Sequence, residues 1–110
     1  MSNTLETIDR QQLAQVSGGF GPQLTSAMSL ARQMGLRVVT GGSNHVKGSY
    51  HFRGRAADVY GSRAALTRLY HRLAGTHPTE LFYNHAGTMK HGRSLGHPVK
   101  NHWNHLHVAY

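Results

Sequence analysis

Two short stretches of the chain concentrate side chains that can do chemistry. The first is Ser49-Tyr50-His51-Phe52-Arg53-Gly54-Arg55-Ala56-Ala57-Asp58, and the second is His102-Trp103-Asn104-His105-Leu106-His107. Imidazole and carboxylate suit a borderline metal such as zinc. Two imidazoles and one carboxylate would leave a fourth tetrahedral position for water, the open arrangement of a catalytic rather than a structural site. Residues i and i+2 of a strand share a face, so His105 and His107 can look into one cleft. Gly54 permits a tight backbone path between His51 and Asp58, and Ala56 and Ala57 keep bulk away from it.

The composition narrows the donors. The chain has 110 residues, 12 Lys plus Arg, 4 Asp plus Glu, 10 His and no Cys, for a net charge of +8 with His neutral. Without Cys there is neither a disulfide framework nor a thiolate-ligated metal. No run of 18 apolar residues exists, so no helical membrane span is expected. All ten His lie at or beyond His45, and two of the four acids, Glu6 and Asp9, fall in the first nineteen residues. Beyond residue 19 the only acids are Asp58 and Glu80, against eleven bases. This scarcity sharpens Asp58 as the carboxylate of the first cluster. Glu80 falls on an expected strand, where it either orients a ligand His through a bond behind the metal or, as preferred here, is a structural or surface residue.

The elements that must position these clusters can be read from periodicity. A helix is expected from Gly21-Pro22 to about Met34, with Leu24, Met28 and Ala31 on one face and Gly35 ending it. Leu36 to Thr40 reads as a strand, and a polar Gly-rich segment follows to Arg55. Ala56 to Tyr60 reads as a short strand, and Ser62 caps a helix to about Ala74 with Leu66, Leu69 and Tyr70 buried. Thr79 to Tyr83 reads as a strand, residues 84–104 as a long polar loop, and His105 to Tyr110 as a terminal strand. The order suggests one α+β domain over residues 20–110, with a small, largely antiparallel sheet and flanking helices.

Residues 1–19, MSNTLETIDRQQLAQVSGG, differ in character. Thr4 can cap a helix from Leu5 to about Val16, with Leu5, Ile8, Leu13 and Val16 on one face. A helix this short is marginal alone in water. With no basic start and no apolar run, the stretch is not a general secretory signal. Counted back from Gly19, the spacing of Val16, Leu13, Ile8 and Leu5 resembles the double-glycine leaders of bacteriocins and related exported peptides. The resemblance implies cleavage after Gly18-Gly19 by the peptidase domain of an ABC exporter. The remaining domain would then be secreted, extracellular or periplasmic. The alternative is an ordinary amphipathic helix followed by a Gly linker.

The first cluster matches S-x-H-x-x-G-x-A-x-D in full, and the second reads H-x-x-H-x-H-V. Together they resemble the zinc fold shared by D-alanyl-D-alanine carboxypeptidases, murein endopeptidases, phage endolysins and Hedgehog-like domains. The resemblance implies a Hedgehog/DD-peptidase-like zinc fold with zinc ligation by His51, Asp58 and His107. It also implies His105 as the catalytic histidine, His102 as a second active-site histidine, and peptidoglycan peptide as substrate. Ser49, within the motif, and His45, six residues before His51, are candidates to line the cleft. The chain departs from the resemblance at Asn104, where two branches place an acidic base. His105 must then act as base, or catalysis is impaired.

Of the remaining histidines, His71 and His77 read as solvent-facing, and His85, His91 and His97 as candidates to border the site. The basic residues are scattered, with no run of five like charges, so a nucleic-acid partner is not expected. Diffuse positive charge would favour anionic wall polymers or outer-membrane lipid instead. A monomer is expected. The favoured function is an exported zinc peptidase of peptidoglycan, a bacteriocin-like lytic protein. One alternative is a non-hydrolytic, zinc-stabilised module that binds wall peptide or a protein. A membrane-active cationic peptide is disfavoured because no basic amphipathic helix follows the leader.

Overall fold

The structure, a computed structural model, describes residues 20–40 and 54–110. Helix α1 spans Pro22–Gln33, with Pro22 in its first turn, where the missing N–H costs nothing. It buries Leu24, Ala27, Met28 and Ala31, the expected face with Ala27 added. Gly35, at φ +79°, turns the chain into strand β1, Arg37–Thr40. Strand β2 is Ala56–Tyr60 and helix α2 is Arg63–Ala74. The Ser62 hydroxyl accepts from the Ala65 amide at 3.2 Å, so the expected cap is formed. Strand β3 is Glu80–Tyr83 and strand β6 is Leu106–Ala109.

Residues 84–104 are not one loop. They contain a hairpin of β4, Gly87–Lys90, and β5, Arg93–Ser94. Its two-residue turn, His91-Gly92, has φ +51° and +79°. Positive φ at both positions matches the twist of a tight hairpin, and Asn-Gly is the usual signal for it. A His in the first position, beside strands whose one large apolar residue is Met89, hides the hairpin from hydrophobic patterning.

The strands form one antiparallel sheet in the order β1-β2-β6-β3-β4-β5. Alternation along the strands sorts the side chains. Ala57 and Val59, Leu81 and Tyr83, and Leu106 and Val108 lie in the core with the apolar faces of both helices. Leu81, Leu106 and Leu69 are fully buried, each contributing about 1.5–3 kcal/mol of apolar burial. The intervening residues, Asp58, Tyr60, Glu80, Phe82 and His107, fall on the opposite face, together with His105 just before β6. Bonds from Tyr110 N to Arg55 O and from Arg55 Nε to Tyr110 O, at 3.1 and 2.9 Å, tie the end of the chain to the start of β2. That clamp holds the register on which the site depends.

Candidate active site

Strand β6 lies between β2 and β3, so His107 has a neighbour on each side. Asp58 is its partner across β2 and Phe82 its partner across β3. The His107 Nδ1 lies 3.3 Å from Asp58 Oδ1, and its Nε2 lies 2.8 Å from Glu80 Oε1. The Phe82 ring stacks on the imidazole with centroids 5.3 Å apart and planes 16° apart. Both nitrogens and one face of His107 are therefore fixed. The second oxygen of Glu80 is 3.4 Å from Lys90 Nζ. Asp58 and His107 are 7% and 6% exposed, a depth at which polar groups must be partnered.

The electrostatics follow from this sandwich. Burial, the strongest single influence on His107, pushes its pKa down. The bonds to Asp58 and Glu80 together outweigh burial and hold it above the ordinary histidine value. Glu80 is lowered, first by its bond to His107, against the opposing effect of burial, with the charge of Lys90 adding to the shift. The metal-free site thus favours an imidazolium between two carboxylates.

His105 stands beside this pair. Its Nε2 is 3.8 Å from Asp58 Oδ1, and its Nδ1 is 2.7 Å from Asn104 Oδ1. An amide oxygen only accepts, so Nδ1–H is the donor and the lone pair of the neutral ring sits on Nε2. Tyr60 stacks on the His105 ring at 5.0 Å, and the Arg37 guanidinium covers Tyr60 at 4.5 Å. His102 donates from Nδ1 to the Lys100 carbonyl at 2.8 Å. Its ring lies 4.9 Å from that of His105 and 5.6 Å from that of His107. These side chains, with Lys100 and Asn101, line a cleft of about 430 Å³.

The Asp58–His107 spacing suits a direct hydrogen bond and is also compatible with two donors sharing one metal. Ligands about 2.0–2.1 Å from a tetrahedral zinc stand about 3.3–3.4 Å from one another, and Asp58 Oδ1 and His107 Nδ1 are 3.3 Å apart. The Nε2–Glu80 bond has the form of the far-side contact that orients a histidine when it ligates a metal. Among the described residues alone, no three His, Asp or Glu side chains form a metal-holding group. His51, the third expected ligand, lies outside the described residues, as do Ser49, His45 and the Gly18-Gly19 junction.

The structure brings Asp58, His102, His105 and His107 into one cleft, although they span 49 residues. Glu80, read as a structural or surface residue or as a partner behind a ligand His, bonds the far nitrogen of His107. Asn104, expected only as a missing base, holds the tautomer of His105. Gly54 does occupy the left-handed region, at φ +71°. Ala57 packs in the core rather than clearing the cleft; Ala56, paired with Ala109, is the alanine on the site's face. His85 borders Trp103 rather than the cleft, and His91 and His97 line neither. His71 and His77 are exposed as expected. Phe82 and Tyr60, which stack on the two central histidines, carried no signal in the sequence beyond strand alternation. No helix among the described residues is long and apolar enough to cross a membrane. Comparison with protein-family models, curated proteins and solved structures finds no match to this chain.

Proposed function

We propose that the chain is an exported zinc peptidase acting on the peptide bonds of peptidoglycan, with residues 1–19 as a double-glycine leader removed by an exporter's peptidase domain. The observation that carries the proposal is the 3.3 Å approach of Asp58 to His107, with His105 beside it. Asp58 and His107, with His51, would hold the metal. Bound zinc supplies a Lewis acid for a peptide carbonyl and raises the acidity of water at near-neutral pH.

The chain's own residues do the rest. Glu80 accepts from His107 Nε2–H and fixes the ring that Phe82 supports. His105, neutral at Nε2, takes the proton of the attacking water as a C–O bond forms. It then delivers that proton to the leaving nitrogen as the C–N bond breaks. Asn104 holds His105 in the required tautomer as an uncharged acceptor, the part a carboxylate plays in acid-bearing sites. His102, with Nδ1–H committed to the Lys100 carbonyl, lies against both other imidazoles.

Digestion of purified peptidoglycan by the chain cut after Gly19, with mass spectrometry of the products, tests the proposal. Zinc-dependent release of muropeptides, lost in Asp58→Asn, is the expected result. Asn104 in place of an acid favours a second reading, a zinc-stabilised module that binds wall peptide or a protein without turnover. Binding of wall fragments with no cleavage at any zinc concentration would establish that reading and overturn the first.

A further inference from the structure

Beside the histidine cleft lies a second hollow of about 460 Å³, within the roughly 300–1,000 Å³ of small-molecule sites. It is lined by Tyr60, Asn101, Trp103, Asn104 and His105 and shares Tyr60, Asn101 and His105 with the cleft. Trp103 is 51% exposed and is the one large apolar side chain exposed among the described residues. It is nevertheless held. His85 meets it edge-on at 5.0 Å, and His85 in turn packs against Tyr83 at 5.4 Å, whose ring is buried in the core.

The loop beneath Trp103 is fixed as well. Asn84 donates from Nδ2 to Val99 O at 2.7 Å and accepts from Val99 N at 2.8 Å. Its backbone amide bonds His102 O at 2.9 Å. Asn101 is held at φ +66°. Among the described residues no protein group takes the side-chain amide of Asn101 or the Nδ2 of Asn104, whose oxygen already accepts from His105.

We propose that Trp103, Asn101 and Asn104 form a sugar subsite that takes one pyranose ring of an N-acetylated glycan next to the peptide cleft. The C–H groups on one face of a pyranose are apolar and carry partial positive charge, which suits the negative face of an indole. The hydroxyl and acetamido groups around the ring's edge need neutral hydrogen-bonding partners, and two asparagine amides supply them. A single exposed aromatic framed by amides does not make the contiguous apolar patch of a protein interface. The choice of glycan rests on the peptidoglycan reading of the cleft. In a glycan-linked peptide the sugar and the peptide are covalently joined, and the two hollows adjoin.

Trp103 is the only tryptophan of the chain, so its emission reports on this subsite directly. The probe is the β-1,4-linked tetramer of N-acetylglucosamine, titrated into the full-length, metal-free chain. A saturable emission change is expected. Calorimetry should show affinity falling about tenfold or more in Trp103→Ala and less in Trp103→Phe, which keeps a ring. Absence of an emission change at millimolar tetramer, undiminished binding by Trp103→Ala, or a response to glycan-free stem peptide alone would each overturn the proposal. The titration needs neither zinc nor turnover. Its failure leaves zinc-dependent cleavage of glycan-free peptide readable, and an inactive peptidase leaves sugar binding readable.

Discussion

Glu80 is the residue whose replacement separates a built metal centre from a chance meeting of polar groups. Its Oε1 lies 2.8 Å from His107 Nε2, its side chain is 16% exposed, and its other oxygen faces Lys90. A hydrogen bond of a charged group is worth about 1.5–3 kcal/mol. The partial exposure and the competing pull of Lys90 put this one in the lower half of that range. Loss of the orienting partner of a metal-ligating histidine costs about 10–100-fold in metal affinity. Glu80→Ala should weaken zinc binding by that factor. Glu80→Gln keeps the shape and an accepting oxygen, and should weaken it by about threefold to tenfold.

Competition with a chromophoric chelator measures the zinc affinity. The same variants have a readout without zinc: the His107 pKa, followed by NMR in the metal-free chain, should fall toward the ordinary value in both. Lys90→Ala is the control, since the Lys90 side chain is 47% exposed and exposed pairs contribute about 0–1 kcal/mol. Wild-type zinc affinity together with an unmoved His107 titration in Glu80→Ala would rule out this role for Glu80, because the contact would then orient nothing.

His105→Ala should keep stoichiometric zinc and lower muropeptide release by about 10²–10⁴-fold, the usual contribution of a general acid–base group; metal analysis and product mass spectrometry on one sample check both halves. The metal-free chain should draw most stability from the Glu80–His107 pair between about pH 4.5 and 6.5, the ordinary values of the two groups. The raised His107 contributes fully below its unfolded pKa and loses that contribution as pH rises through the folded one. The lowered Glu80 contributes above its unfolded pKa and loses its share as pH falls through the folded one. Urea midpoints across this range, compared with those of Glu80→Gln, read the effect, and a flat difference would contradict it. Gly87→Ala should destabilise by about 1–3 kcal/mol, since an added Cβ would lie 2.5 Å from the hydroxyl of the buried Tyr70; denaturant unfolding measures it.

Much of the fold was legible because its signals are local. The Ser62 cap, the Gly35 stop and the apolar periodicity of both helices act within one or two turns. The i, i+2 spacing of His105 and His107 places them on one face of any strand that contains them. The scarcity of acids singled out Asp58 before any contact was known. The β4–β5 hairpin was not legible, because its turn carries His where Asn is usual and its strands are short and polar. Nor was the part of Asn104, which depends on which way an amide rotates.

Glu80 shows where sequence stops. Strand alternation puts it on the face that also bears Asp58 and His107, yet nothing along the chain says which histidine it meets. That was decided by β6 inserting between β2 and β3, and by the register that sets Asp58 on one side of His107 and Phe82 with Glu80 on the other. Periodicity and spacing are properties of neighbouring residues, so the amino-acid sequence alone determined which donors are present and which face each takes. Strand order and register are non-local, so the convergence of particular donors is set by the assembled sheet and not along the chain.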